Sequence, residues 1–180
     1  MEIREPKYTH DFFNGVINGE NVESYKKTYK DISFAYADVD KGLALDTEMY
    51  EVYFFNCGGE NTLLWGLTIL HPITVNEECN LTRGHFHLDR TEPELYFGLG
   101  GQGLLMYMDE DGNSFCEKVF KGSVHYIHGN YAHRLINTGD IDFKVGACWR
   151  DVAGHDYKAI ENKPFPKRVY KINNETIFRD

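Results

Sequence analysis

The stretch TRGHFHLDRTEPELYFGLGGQG, residues 82–103, decides how the rest of the chain is read. In it His85 and His87 are separated by one residue, and Glu94 follows after six more. Alternate residues of a β-strand project to one face, so a strand here sends both imidazoles the same way. That sets two imidazole nitrogens side by side, as a metal ion needs. A turn over residues 89–93 brings Glu94 up on the next strand, facing the same interior, and Tyr96, two residues on, shares its face. Imidazole with carboxylate suits divalent Fe, Mn, Ni, Co or Zn better than a thiolate site would. The missing ligand comes later, at His133, so the expected cofactor is one divalent ion per chain.

Bulk properties frame this motif. A chain of 180 residues with 42% apolar content fits one domain and can bury a sizeable core. The formal net charge of −9 argues against general affinity for nucleic acid or an anionic membrane. A phosphorylated small substrate stays compatible, because a pocket can be locally basic on an acidic surface. Cys57, Cys79, Cys116 and Cys148 are scattered without a C-x-x-C pair, and read as buried free thiols of a reducing compartment. The opening MEIREPKYTHDFF has no basic region followed by an apolar one, and no apolar run nears the ~18 residues of a membrane span. A cytoplasmic protein is expected.

Residues 1–30 are polar and broken by Pro6, Gly15 and Gly19, and read as an arm that wraps the core or a partner subunit of a homodimer. Residues 21–30 allow a helical turn or two but carry too few apolar positions for an amphipathic helix. From Ile32 onward the chain turns to short aromatic and β-branched runs: ISFAYADV, EMYEVYFFN, TLLWGLTIL, LTRGHFHL, ELYFGL, GLLMYM, SFCEKVF, SVHYIHG, AHRLINT and DFKVGACW. Turn signals part them at the spacing of a sandwich or barrel, and Asp111-Gly112 marks a two-residue hairpin. Gly98, Gly100 and Gly103 match G-x-G-x-x-G, but LLMYM after them reads as a strand, not as the helix a dinucleotide turn requires. The expectation is an all-β single domain: arm 1–30, barrel 32–157, and an extension over 158–180 made of strand fragments or a short helix.

A second histidine motif lies in GSVHYIHGNYAHRLINTG, residues 122–139. The pattern H-x-H-(x)6-E-(x)6-G around His85, His87, Glu94 and Gly101 resembles the first cupin motif in its long-spaced variant. Gly122-(x)10-His133-(x)3-Asn137 resembles the second, with His128 and Asn130 where many cupins carry Pro and Gly. More narrowly, TRGHFH, ELY, AHRLINTGD and AGHDY resemble the cupin-type glucose-6-phosphate isomerases, over roughly residues 62–157. The cupin motifs alone are shared by many activities; TRGHFH joined to AGHDY is far more specific. The resemblance implies a double-stranded β-helix (a jelly-roll barrel) and a metal-dependent aldose–ketose isomerase of glycolysis and gluconeogenesis, with iron as the leading metal. It further implies that Thr68, Thr82, Gly84 and His155 contact the phosphate and substrate end. Trp149 stands where archaeal members tend to have tyrosine, so no role of that hydroxyl carries over.

Other residues have rival readings. His10, His71, His125 and His128 read as structural or surface histidines, and Glu92 as an exposed hairpin charge. Arg83 is either a solvated strand residue or a phosphate contact. Tyr96 is a catalytic neighbour of Glu94 or core packing with its hydroxyl satisfied. His155 and Tyr157 read as the rim or lid of a substrate pocket. Glu94 is the natural base for moving a proton between C1 and C2, although coordination to a cation lowers its basicity. A hydride shift remains the alternative chemistry. An iron-dependent oxygenase or decarboxylase, or a non-catalytic sugar-binding cupin, remains the alternative function.

Overall fold

The structure, a computed structural model, describes every residue except Phe13, Asn14 and Cys57. A hairpin of β1 (Tyr8–Asp11) and β2 (Val16–Gly19) comes first, then β3 (Glu23–Thr28), the helical turn α1 (Tyr29–Ile32), β4 (Glu48–Asn56) and β5 (Leu63–Leu70). The short strands β6 (Thr74–Val75) and β7 (Glu78–Cys79) lead into the histidine segment. β8 (Glu94–Gly100), β9 (Gln102–Met108), β10 (Ser114–Phe120), β11 (Val124–Ile127), β12 (Ala132–Asn137) and β13 (Phe143–Arg150) come after it. The chain closes with α2 (Tyr157–Asn162), β14 (Arg168–Ile172) and β15 (Glu175–Arg179).

A six-stranded sheet in the order β11-β8-β13-β5-β4-β3 faces a three-stranded sheet in the order β10-β9-β12. Every pairing within them is antiparallel. One core cluster draws on both, joining Tyr50, Leu70 and Val145 to Leu104, Met106 and Leu135. The all-β, cupin-type reading holds. β8 and β9 turn on Gly101, at φ +68, where an added Cβ would stand 2.4 Å from the Asp142 carbonyl oxygen; only glycine fits that turn. β12 is buried along its whole length. Its consecutive His133 and Arg134 face opposite ways, so both are carried out of water.

Several local expectations fail for identifiable reasons. ISFAYADV, residues 32–39, is not a strand: a 3-10 turn at Ser33–Ala35 follows α1. The Asp31 carboxylate accepts from the Thr28 N–H at 2.8 Å and hydroxyl at 2.9 Å, which starts the helical turn. Tyr29 and Ile32 then bury inward on one side of it. Residues 23–28 are not arm either. β3 pairs along β4, so the barrel begins before Ile32, at Glu23. LTRGHFHL forms isolated bridges to β12 and to Asp156 instead of a strand, because Gly84 sits at φ +77 and interrupts the extended backbone. The Asp111-Gly112 hairpin exists, but its loop spans residues 109–113, closed by Asp109 N–H to the Asn113 carbonyl at 3.0 Å.

The expectation for Cys57 lies outside the described residues. Cys79 is a buried free thiol whose pKa burial raises to about 11. Cys116 and Cys148 are only half-buried, on strands that open one face to solvent. Among the described residues, no helix is long and apolar enough to cross a membrane.

Candidate metal centre and active site

The histidine segment is locked to β12 by a reciprocal pair of backbone bonds, His85 N–H to the His133 carbonyl at 3.3 Å and His133 N–H to the His85 carbonyl at 3.0 Å. The two rings are thereby held 4.5 Å apart, centroid to centroid. His87 lies 5.3 Å from His133, and Glu94 enters from the first position of β8. One potential ligand atom from each of His85, His87, Glu94 and His133 falls within 4.8 Å of all the others. The period-two placement expected of His85 and His87 is kept without a regular strand.

Orientation follows from carbonyls behind the rings. His87 Nδ1 donates to the Glu92 carbonyl at 2.7 Å and His133 Nδ1 to that of Tyr131 at 3.4 Å. A carbonyl only accepts, so those protons sit on Nδ1 and each Nε2 presents a lone pair to the centre. His87 Nε2 and His133 Nε2 stand 3.2 and 3.3 Å from the same oxygen, Oε2 of Glu94. The Nε2 atoms of His85 and His133 are buried with no hydrogen-bond partner among the described residues. His87 and His133 are each 1% exposed and Glu94 6%.

The electrostatics agree. Burial pushes the Glu94 carboxyl up, but the adjacent His133 and His87 rings outweigh it, and the group is held below the usual carboxylate range. Burial depresses His87 as well, and there the Glu94 carboxylate wins, raising it. His85 is driven well below its ordinary value by burial and then by the neighbouring His133. An anionic carboxylate among inward lone pairs and orphaned nitrogens is an incomplete charge balance. A divalent cation of the borderline class completes it, so the residues fit the ion expected from the sequence.

A cavity of about 460 Å³ opens over this cluster. His85, Glu94 and His133 reach its wall, whereas His87 is not on it. Thr68 from β5, Thr82, Arg83, Gly84, His155 and Tyr157, the residues expected at the substrate end, all line it. The Thr82 hydroxyl oxygen accepts from the Leu135 N–H at 3.0 Å, leaving its proton to donate. A Cβ on Gly84 would meet Phe165 at 2.8 Å. The His155 ring lies 4.3 Å from that of His85 and stacks with Tyr157 at 5.7 Å. Tyr96 packs edge-on to His133 at 5.6 Å, and burial, then Glu94, raise its phenol well above its ordinary value. It stays protonated and can donate.

Other assignments change. Arg83 is not a freely solvated residue: half-buried, it pairs with Glu161, which takes part of its fork, and stacks on Tyr157 at 4.3 Å. Glu92 is not an exposed charge, since its side chain is 13% exposed and accepts from Arg150 at 2.6 Å while its carbonyl orients His87. His125 is a structural histidine, buried and bonded to Glu117 at 2.5 Å and Ser123 at 2.8 Å. The cavity also holds Tyr25, Lys27 and Tyr50, none of which the motifs single out. Tyr25 and Lys27 alternate along β3, a signal that appears only when residues 23–28 are taken as strand. Trp149 fills the wall opposite Gly66, where a Cβ would meet its ring at 2.9 Å.

The family model for glucose-6-phosphate isomerase (GPI) matches residues 23–179. The chain belongs to that family. It is an enzyme of the cupin-type class, as the motifs led one to expect. Over a 189-residue alignment it is 32% identical to a protein of Thermococcus litoralis named glucose-6-phosphate isomerase, covering 100% of this chain and 97% of that one. A Pyrococcus horikoshii protein of the same name is 34% identical over 170 residues, 92% of this chain and 89% of its own. Among solved structures, oxalate decarboxylase from Bacillus subtilis at pH 4.6 gives a TM-score of 0.46 at 18% identity. The match covers 70% of this chain and 28% of that one, and bears on nothing beyond that likeness.

Proposed function

We propose that the chain interconverts glucose 6-phosphate and fructose 6-phosphate, using one divalent ion held by His85, His87, Glu94 and His133. The observation that carries the reading is the pair of buried, unpartnered Nε2 atoms on His85 and His133, converging with His87 and Glu94 beneath a cavity of sugar-phosphate size. The family resemblance favours iron, and Mn, Ni, Co and Zn also suit this donor set. When bound, such an ion supplies positive charge for the oxygens on C1 and C2 as the carbonyl migrates.

The protein's own groups supply the rest. The Thr68 and Thr82 hydroxyls and the Gly84 backbone hold the phosphate, with His155 and Tyr157 closing that end. Arg83 contributes its charge from the side, since Glu161 already occupies part of its fork. Lys27, half-buried in the opposite wall, adds a second cation. Glu94, ionised at neutral pH, takes the proton from one carbon and returns it to the other, while the protonated Tyr96 donates toward a sugar oxygen.

The reading carries with it a single cupin domain in a cytoplasmic homodimer, with the exposed residues 1–6 free to reach a partner. Its test is a coupled assay of fructose 6-phosphate with metal-stripped and reconstituted protein under nitrogen. Activity that is lost on stripping and regained with metal, without oxygen, supports it; metal-independent turnover, or none with any of these five metals, defeats it.

A further inference from the structure

β12 sends His133 into the large cavity, so its neighbour Arg134 points the other way, into a second cavity of about 190 Å³. Arg83, Lys167 and Arg168 share that cavity with Arg134, and Glu161 is the acid on its wall. Arg83 is compensated by Glu161, Lys167 by Asp180, and Arg168 by Glu78 at 2.9 Å. Arg134 has no carboxylate in ion-pair contact among the described residues. It is 7% exposed, its guanidinium lies 4.0 Å from the centre of the Phe165 ring, and its Nε is buried without a hydrogen-bond partner. The Nε of Arg83 is unpartnered too. The Glu78 carboxylate acts on Arg134 without touching it and is already paired with Arg168, and a buried charge without a direct partner is costly.

We propose that this second cavity is a binding site for free orthophosphate, with Arg134 as its principal partner and Arg83, Lys167 and Arg168 around it. A planar guanidinium fork matches a tetrahedral oxyanion and takes it bidentately. The volume lies below the roughly 300 Å³ at which organic-ligand pockets begin, so a small inorganic ion suits it better than a nucleotide. Arg83 lines both cavities, so an ion here competes with Glu161 for that guanidinium. The site does not rest on the isomerase reading, because it uses none of the four metal-cluster side chains.

The experiment is equilibrium dialysis against radiolabelled orthophosphate at fixed ionic strength, on the wild type, Arg134→Met, Lys167→Glu and Thr68→Val. Thr68 lies only in the larger cavity. Expected is saturable binding that Thr68→Val preserves and that Arg134→Met and Lys167→Glu each weaken by about tenfold or more, as for a lost charged hydrogen bond. Arg134→Met should also melt higher than the wild type without phosphate, having shed a buried charge with no direct partner, and gain less than the wild type when phosphate is added. Absence of saturable binding in the wild type, or wild-type affinity in both charge variants, overturns the site. Binding lost only in Thr68→Val places the phosphate in the larger cavity, which overturns this site and leaves the isomerase reading standing. Should Arg134→Met fail to fold, Lys167→Glu decides alone, since Lys167 is 47% exposed at its side chain and changes no core packing.

Discussion

Among the described residues two clusters of histidine and carboxylate stand out, and they differ in what their nitrogens lack. Glu48, Glu51 and His71 bring ligand atoms as close together as the His85, His87, Glu94 and His133 set does. Yet His71 is already satisfied on both sides, by Asp142 at 2.9 Å and Glu48 at 3.2 Å. Lys26 supplies the cation, 2.7 Å from Glu48 and 3.7 Å from Glu51. The buried set has orphaned Nε2 atoms and no cation of its own. Proximity of ligand types is common; unmet lone pairs out of water are what call for an ion.

The sharpest way to break this contrast is to remove one imidazole from each cluster. His133→Ala should lose bound metal and turnover together, because three remaining ligands close the site poorly. His71→Ala should keep both. Metal content by mass spectrometry and a fructose 6-phosphate assay check the pair; full metal in His133→Ala would falsify the buried set as the metal centre.

Next in size is Glu94→Gln, which keeps shape and an oxygen donor but removes charge and basicity. As the base, its loss should lower kcat by roughly a hundred- to ten-thousand-fold with much of the metal retained. Turnover in deuterated water should then label C1 or C2 of wild-type product. Rate restored by added metal, together with unlabelled product, would point to a ligand-only role and a hydride shift.

A smaller effect is expected at the phosphate end. Thr82→Val removes one hydrogen bond to a dianion, worth about 1.5–3 kcal/mol, so KM should rise roughly ten- to hundredfold with metal content unchanged. Equal use of unphosphorylated fructose by the wild type would remove the basis for this anchor.

The smallest effect belongs to the surface cluster. Burial lowers the His71 pKa, but Asp142 and Glu48 outweigh it and the folded-state value is raised above 6.5. His71 therefore binds its proton more tightly when folded. Its contribution is full below about pH 6.5 and fades as pH rises through the raised value. With side chains 23–43% exposed, it should not exceed about 1 kcal/mol. Wild type and His71→Asn should differ in melting temperature at pH 6 and converge at higher pH, and salt should narrow the gap. A gap that widens with pH would contradict the assignment.

Much of the site is legible in residue spacing. Alternation places His85 and His87 together, and the offsets to Glu94, Gly101 and His133 locate the ligands and the turn. Those are local properties, set by a two-residue period and by the one residue type that tolerates φ near +68. β3 escapes such a reading because its polar ESYKKT lacks an apolar face: all but its last two residues are exposed. Lys27 and Tyr25 are lost with it. Aromatic and β-branched content makes residues 32–39 look like a strand, and a capping carboxylate overrides that preference.

By itself the sequence determined the strand periods, the family and the set of side chains able to hold an ion. Which charges are met was decided only by the tertiary structure. Arg83 looks like a phosphate hand until Glu161, 78 residues away, is folded against it. His133 and Arg134 are neighbours in sequence and occupants of different cavities in space. Pairing a buried charge depends on what the rest of the chain brings within a few ångströms, and no local pattern encodes that distance.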